Sequence, residues 1–217
     1  MNRRSLLVAW FPLFAQKQSR PSRRVLILLG PPGAGKTTHA KTLKSRFSIP
    51  AISAAELLKQ SHGRKDGISK ALKGQIEGGA LLNDEGLNQL VLARISRGDC
   101  YNGFLLDGYP TTPAQADFLS QQLQELTFPE PVVILLQIPD PLVRERLRRR
   151  GRADDTPANI ERRLADYRKE ETAVLGKFKR VIRVDASGDG KTVGAELIRA
   201  LEANATMDPA WGMGTDQ

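Results

Sequence analysis

Gly30-Pro31-Pro32-Gly33-Ala34-Gly35-Lys36-Thr37 follows the apolar run Val25-Leu26-Ile27-Leu28-Leu29 without a break and leads straight into a segment of helical pattern. The stretch matches G-x-x-x-x-G-K-[ST] in a strand–loop–helix setting, and each residue type has a physical task there. Glycines let backbone N–H groups curl round a phosphate, the lysine neutralises the outer phosphates, and the Thr37 hydroxyl suits Mg²⁺. The following helix adds its positive N-terminal end. The stretch reads as a phosphate-binding loop for a nucleoside triphosphate with Mg²⁺.

Length and charge narrow the setting. At 217 residues the chain can build one well-cored α/β domain with a small insertion. The formal net charge of +9 would by itself suit nucleic acid, an anionic membrane or phosphorylated ligands. Its distribution is more informative. Residues 1–24 hold Arg3, Arg4, Lys17, Arg20, Arg23 and Arg24 with no acid, and 144–152 pack Arg144, Arg146, Arg148, Arg149, Arg150 and Arg152 around Glu145. The first reads as a tail and the second as part of a site. No aromatic-interleaved basic sheet or recognition helix accompanies the charge, so small nucleotides, not nucleic acid, are the expected partners. Cys100 is the sole cysteine, which rules out an intrachain disulfide and a cysteine-rich metal site and fits a reducing cytoplasm. His39 and His62 lack a partner at metal-ligand spacing and are expected at the surface or in packing.

Along the chain, residues 1–23 have a basic start and a short apolar run interrupted by Pro12. Signal peptide and organellar transit sequence are both weak fits; a disordered extension is the preferred expectation, and the run is too short to span a bilayer. Helical pattern covers Thr38 to Phe47, a strand approach runs from Ile49 to Ile52, and 53–82 is too polar for a core of its own. It should form a helical insertion, with helices at 54–59 and 68–77. Asn83 or Asp84 should cap the next helix, and Gly103-Phe104-Leu105-Leu106-Asp107 should be a buried strand whose terminal acid faces the loop and holds Mg²⁺ through water. Thr112 should cap a helix starting at Pro113, and Asp140 one whose N1 residue is Pro141. Strands at 131–138 and 181–185, helices at 157–175 and 191–204, and a loose tail from Ala205 complete the pattern. Strands alternating with helices imply a mainly parallel sheet with ligands at the carboxyl ends of its strands.

Taken together these pieces resemble the adenylate kinase family of nucleoside monophosphate kinases over roughly residues 24–204. The motifs stand in order: Gly30–Thr38, Ile52–Lys59, Ala80-Leu81-Leu82-Asn83-Asp84-Glu85, Gly103–Pro110 with Gln115, and Arg150-Gly151-Arg152-Ala153-Asp154-Asp155 with Arg163-Leu164. The resemblance implies a five-stranded parallel sheet of order 2-3-1-4-5, a monophosphate-binding insertion at 53–82, and a short lid at 150–156 without room for a zinc-bearing hairpin. It implies that Lys36 and the loop amides hold the ATP phosphates and that Arg146 packs on the adenine. Arg150, Arg152 and Arg163 would close on the moving phosphoryl and the monophosphate, with Asp154 and Asp155 tying the lid to its arginines. Asp107 with Thr37 would place Mg²⁺. The implied AMP site takes in Ala54, Lys59, Ala80, Leu81, Leu82, Gly108, Tyr109, Pro110, Thr111 and Gln115, the last reading the base. A monomer is implied as well.

The sequence departs from the family in the acceptor half. Ala54 stands where the family has Thr, Ala55 where it has Gly, and Lys59 and Thr111 where it has arginines; Thr37 replaces the usual Gly. Lys59 keeps charge without the guanidinium fork. The expected activity is γ-phosphoryl transfer from MgATP to AMP. A kinase for another acceptor, or an ATP-binding regulatory protein with weak transfer, remains open at this point.

Overall fold

Residues 23–61 and 84–206 are described in the computed structural model. In chain order they form β1 (Arg24–Leu29), α1 (Lys36–Phe47), β2 (Ala51–Ser53), α2 (Ala54–Ser61), α3 (Asp84–Ile95), a 3₁₀ turn (Gly98–Cys100) and β3 (Gly103–Asp107). There follow α4 (Pro113–Glu125), β4 (Val132–Gln137), α5 (Asp140–Arg150), α6 (Pro157–Leu175), β5 (Val181–Asp185) and α7 (Gly190–Thr206). The helix expected at 68–77 and the tail from 207 lie outside the described residues.

The near-continuous apolar composition of β1, β3 and β4 follows from burial on both sides. Alternation along β1 sends Leu26 and Leu28 to one face and Val25, Ile27 and Leu29 to the other. The first pair packs with α1, α5, α7 and the start of α6 through Leu43, Val143, Leu147, Leu197 and Ile160. The second set packs with α3 and α4 through Val91, Ile95, Ala116 and Leu119. The sheet has five strands in the order β2-β3-β1-β4-β5, every pair parallel. This is the doubly wound sheet of order 2-3-1-4-5 implied by the resemblance. β1 and β3 lie side by side at its centre, with Leu28 opposite Asp107, so the loops that follow them open at the same end.

Several boundaries move from the sequence expectation. α1 begins at Lys36 instead of Thr38, because Gly35 caps it in a left-handed conformation with φ 87°. Asp140 is not an N-cap: Pro139 occupies that place, no side chain caps the helix, and the Asp140 carboxylate instead receives Arg168 of α6 at 2.6 Å. Thr112 does cap α4, its hydroxyl accepting from the Gln115 N–H. Arg23, assigned from sequence to the basic extension, belongs to the folded body. Its guanidinium lies 4.3 Å from the Tyr101 ring centre and 5.2 Å from that of Phe128, and donates to the Leu126 and Thr127 carbonyls. α7 runs past the expected end at 204 to Thr206.

Candidate active site

The loop 30–35 turns directly off β1 into α1, and its sharp course depends on glycine. Gly30 has φ 146°, and a Cβ there would stand 2.7 Å from the Leu136 carbonyl oxygen, so this position admits no side chain without displacing β4. Within the loop the Ala34 N–H donates to the Pro31 carbonyl, and Thr38 and His39 N–H both donate to Gly35. Among the described residues the amides of Gly33, Gly35, Lys36 and Thr37 have no backbone acceptor. Together with the helix N-terminus they form an anion cradle.

Lys36 folds back over this cradle, its Nζ donating to the carbonyls of Gly30 at 2.7 Å and Pro31 at 3.0 Å. Burial, reinforced by Arg150 and opposed by Asp107, pushes its pKa down to about 8. Without nucleotide the ammonium is therefore partly deprotonated just above neutrality, whereas triphosphate beside it favours the charged form. The sign is clear: a nucleotide held by Lys36 binds with proton uptake at alkaline pH. MgATP affinity should be flat below about pH 7 and fall as pH rises through 8, by roughly tenfold per unit once the lysine is neutral. Titration calorimetry in buffers of different ionisation enthalpy reads the uptake directly; a pH-independent affinity between 7 and 9.5 would contradict it.

At the end of β3, Asp107 is 5% exposed and accepts from the Thr37 hydroxyl at 2.8 Å. Burial raises its pKa, with the Thr37 hydrogen bond and Lys36 acting in the opposite sense. A buried carboxylate joined to the loop hydroxyl fits Mg²⁺ by the chemistry of its oxygen donors. Among the described residues no group of three or more His, Cys, Asp or Glu gathers as a metal site.

The arginines of 144–152 divide by partner. Arg146 donates to the Ser187 and Gly188 carbonyls after β5, each at 3.0 Å. Arg150 forks onto Asp155 with bonds of 2.8 and 2.7 Å, and Arg163 reaches the same carboxylate at 2.7 Å and Asp154 at 3.1 Å. The Asp155 side chain is only 1% exposed. Arg150, and then Arg163, hold its carboxyl well below the usual range. The Arg152 guanidinium has no ion-pair partner among the described residues, and its side chain lines the cleft beside the loop.

Two cavities meet here. One, of about 340 Å³, is bounded by the loop, Asp107, Arg146, Arg150 and Arg152. The other, of about 550 Å³, lies between the Gly108–Thr112 turn and α6, with Arg163 on its wall. Lys36, Ala55 and Gly108 border both. Apart from Arg163, sequence reasoning missed the α6 side of the second cavity. Arg163, Asp166, Tyr167, Glu170, Glu171 and Val174 share one face by their spacing of three and four, a signal that was present. His39 is buried at 4% exposure against Gly35 and Gly194. Burial, and then Arg146, lower its pKa.

On the acceptor side the placements are mixed. Tyr109 is buried and its hydroxyl donates to Asn88 at 2.6 Å, while Pro110 and Thr111 border the larger cavity. Ala54 is buried. Lys59 is exposed on α2 and borders neither cavity. Ala80, Leu81 and Leu82 lie outside the described residues. Gln115, expected to read the base, is 3% exposed, and its amide bonds with Thr111 and Asp84.

The family model described as Adenylate kinase matches residues 28–182. The "Adenylate kinase" of Bartonella bacilliformis is 39% identical over 188 residues, covering 82% of this chain and 97% of the relative. That of Sinorhizobium medicae is 38% identical over 190 residues, with 81% and 98% covered. That of Corynebacterium urealyticum is 36% identical over 178 residues, with 82% and 98% covered. Sheet order, phosphate loop and nearly full-length likeness agree, and the chain belongs to the adenylate kinase family.

Proposed function

We propose that the protein transfers the γ-phosphoryl of MgATP to AMP, giving two molecules of ADP. The observation that carries this reading is the placing of Lys36 where the two cavities meet, flanked by Arg150 and Arg163 on one shared carboxylate. In-line phosphoryl transfer needs two phosphates held end to end under positive charge, and this junction supplies the charge.

ATP lies in the smaller cleft, with its outer phosphates on the loop amides and Lys36 and its adenine against Arg146. AMP lies in the larger cavity with its phosphate towards Arg163 and Arg152. An oxygen of the AMP phosphate attacks the γ-phosphorus as the bond to the β–γ bridging oxygen breaks, and the electron pair leaves with ADP. No general base is required, because a phosphate monoester is largely dianionic at neutral pH. Arg150 and Arg163 exchange Asp155 for phosphoryl oxygens as charge spreads on the transferring group. Thr37, and Asp107 through water, would hold Mg²⁺, which would supply positive charge to the phosphates. In this reading 53–82 is the monophosphate-binding insertion, 150–156 the lid, and the unit a monomer working on free nucleotides in the cytoplasm. Among the described residues no helix is long and apolar enough to cross a membrane.

A coupled assay of ADP formation with MgATP and AMP, UMP or CMP tests the reading. AMP-dependent formation of two ADP per AMP, well above either pyrimidine nucleotide, is expected. MgATP binding without AMP-dependent ADP would overturn the proposal and leave a nucleotide-binding protein.

A further inference from the structure

Helices α1 and α7 both begin at the carboxyl ends of their strands and run side by side along one face of the sheet. Their contacts keep one register. At the far end the Arg46 guanidinium meets Glu202 at 2.8 Å, and midway Leu43 shares a buried cluster with Val193, Leu197 and Leu201. At the end next to the phosphate loop the His39 ring lies against Gly194. The Arg46 side chain is half exposed, and a surface pair of that kind contributes little. Spacing at the loop end falls to the imidazole.

The ring sits between two bare α-carbons. Its Cδ2 and Nε2 are 3.4 Å from the place a Cβ of Gly35 would take, and its Nδ1 is 3.8 Å from the place a Cβ of Gly194 would take. Each glycine belongs to a different part of the donor site. Gly35 lies in the anion cradle, and its carbonyl accepts from the Thr38 and His39 N–H groups, so the cradle and the first turn of α1 form one piece. Gly194 follows the turn whose Ser187 and Gly188 carbonyls hold Arg146. Asp189 fastens that turn to α7, its carboxylate accepting from the Lys191 N–H at 2.9 Å, the Thr192 N–H at 3.1 Å and the Thr192 hydroxyl at 2.6 Å. Turn and helix form the second piece. His39 itself does not border the cleft.

We propose that His39 is a positioning residue for the donor nucleotide: the thickness of its ring sets the distance between the phosphate cradle and the Arg146 shelf, so that triphosphate and base bind as one ligand. The proposal rests on the donor half of the phosphotransferase reading. A ligand that engages two subsites at once gains affinity only while their separation matches its own span. Emptying the gap lets both pieces relax into it, and overfilling it pushes them apart. ATP, which reaches across, then loses more than a ligand confined to the cradle.

Calorimetric titration with MgATP and with magnesium tripolyphosphate, which carries the phosphates without the base, separates a spacer from a mere support of the loop. His39→Ala should weaken MgATP by roughly tenfold and tripolyphosphate by less than about twofold. His39→Leu, which restores bulk without ring nitrogens, should bind MgATP within about threefold of wild type. Gly194→Leu overfills the same gap from the α7 side and should repeat the selective loss, even if His39→Ala fails to fold. Equal losses of the two ligands in these variants would overturn the proposal, as would an unchanged MgATP affinity. His39→Leu as weak as His39→Ala would do the same, since the ring would then act through its nitrogens. Wild-type protein that binds MgATP no tighter than tripolyphosphate would remove the base shelf, and the spacer with it. Absence of AMP-dependent ADP formation overturns the transfer reading alone and leaves these binding ratios to stand or fall by themselves.

Discussion

Lys36→Ala should lower kcat/KM for MgATP-dependent ADP formation by about three orders of magnitude, the upper range for removing one preorganised charge from a transition state. The lysine is the cation common to both cavities, and no arginine lines both. Arg146, Arg150 and Arg152 line the smaller and Arg163 the larger. The fold should not suffer. Lys36 is a buried cation whose pKa is pushed down to about 8 by desolvation, so its removal relieves an unfavourable burial. The Gly30 and Pro31 carbonyls it leaves can be taken up by water in the cleft. Steady-state kinetics beside a calorimetric melting curve check both halves: activity falls and the melting temperature does not. Activity within tenfold of wild type would remove Lys36 from the transfer step.

The largest effect on stability should come from a residue with no part in the chemistry. Gly103, the first residue of β3, has φ 117°, and a Cβ there would stand 2.0 Å from the Arg24 carbonyl oxygen and 2.5 Å from its nitrogen. Both atoms are backbone of the central strand β1, paired with Gly103 in register. Neither can move without shifting the strand that carries the phosphate loop. Gly103→Ala should therefore cost about 3 kcal/mol or more, in the class of severe backbone strain, and lower the melting temperature by roughly 6–12 °C for a chain of this size. Gly98→Ala is the matched control, since a Cβ there meets nothing within 4 Å. Equal melting temperatures for the two variants would contradict the assignment of strain to Gly103.

The parts of the protein written in local pattern were legible without coordinates. The phosphate loop, the strand ending in Asp107, the Thr112 cap and the alternation of strands with helices follow from spacing and residue type. The sheet order came from the family resemblance. What was not legible depended on competition between partners. Asp140 has every local feature of a cap, yet Arg168, from another helix, takes its carboxylate. Gln115 has the right residue type at the right place for reading a base, but its partners Asp84 and Thr111 could not be read from its place in the chain. His39 was expected at the surface or in packing, and the choice between them is made by α7, which passes over it at Gly194. In each case the deciding neighbour is distant in sequence or changed in chemistry.

The cations of the cleft illustrate a further point. Lys36 is held by two loop carbonyls, Arg146 by two more, and Arg150 and Arg163 by Asp155. None of these long side chains has to be gathered from solution when a nucleotide arrives, so the loss of rotamer freedom that accompanies ordering of such groups belongs to folding instead of binding. Association is then a substitution of one set of oxygen atoms for another. A small anion with few oxygens cannot satisfy that exchange at four cations at once, whereas a polyphosphate can. Selection by the number of oxygens offered is built into the cleft.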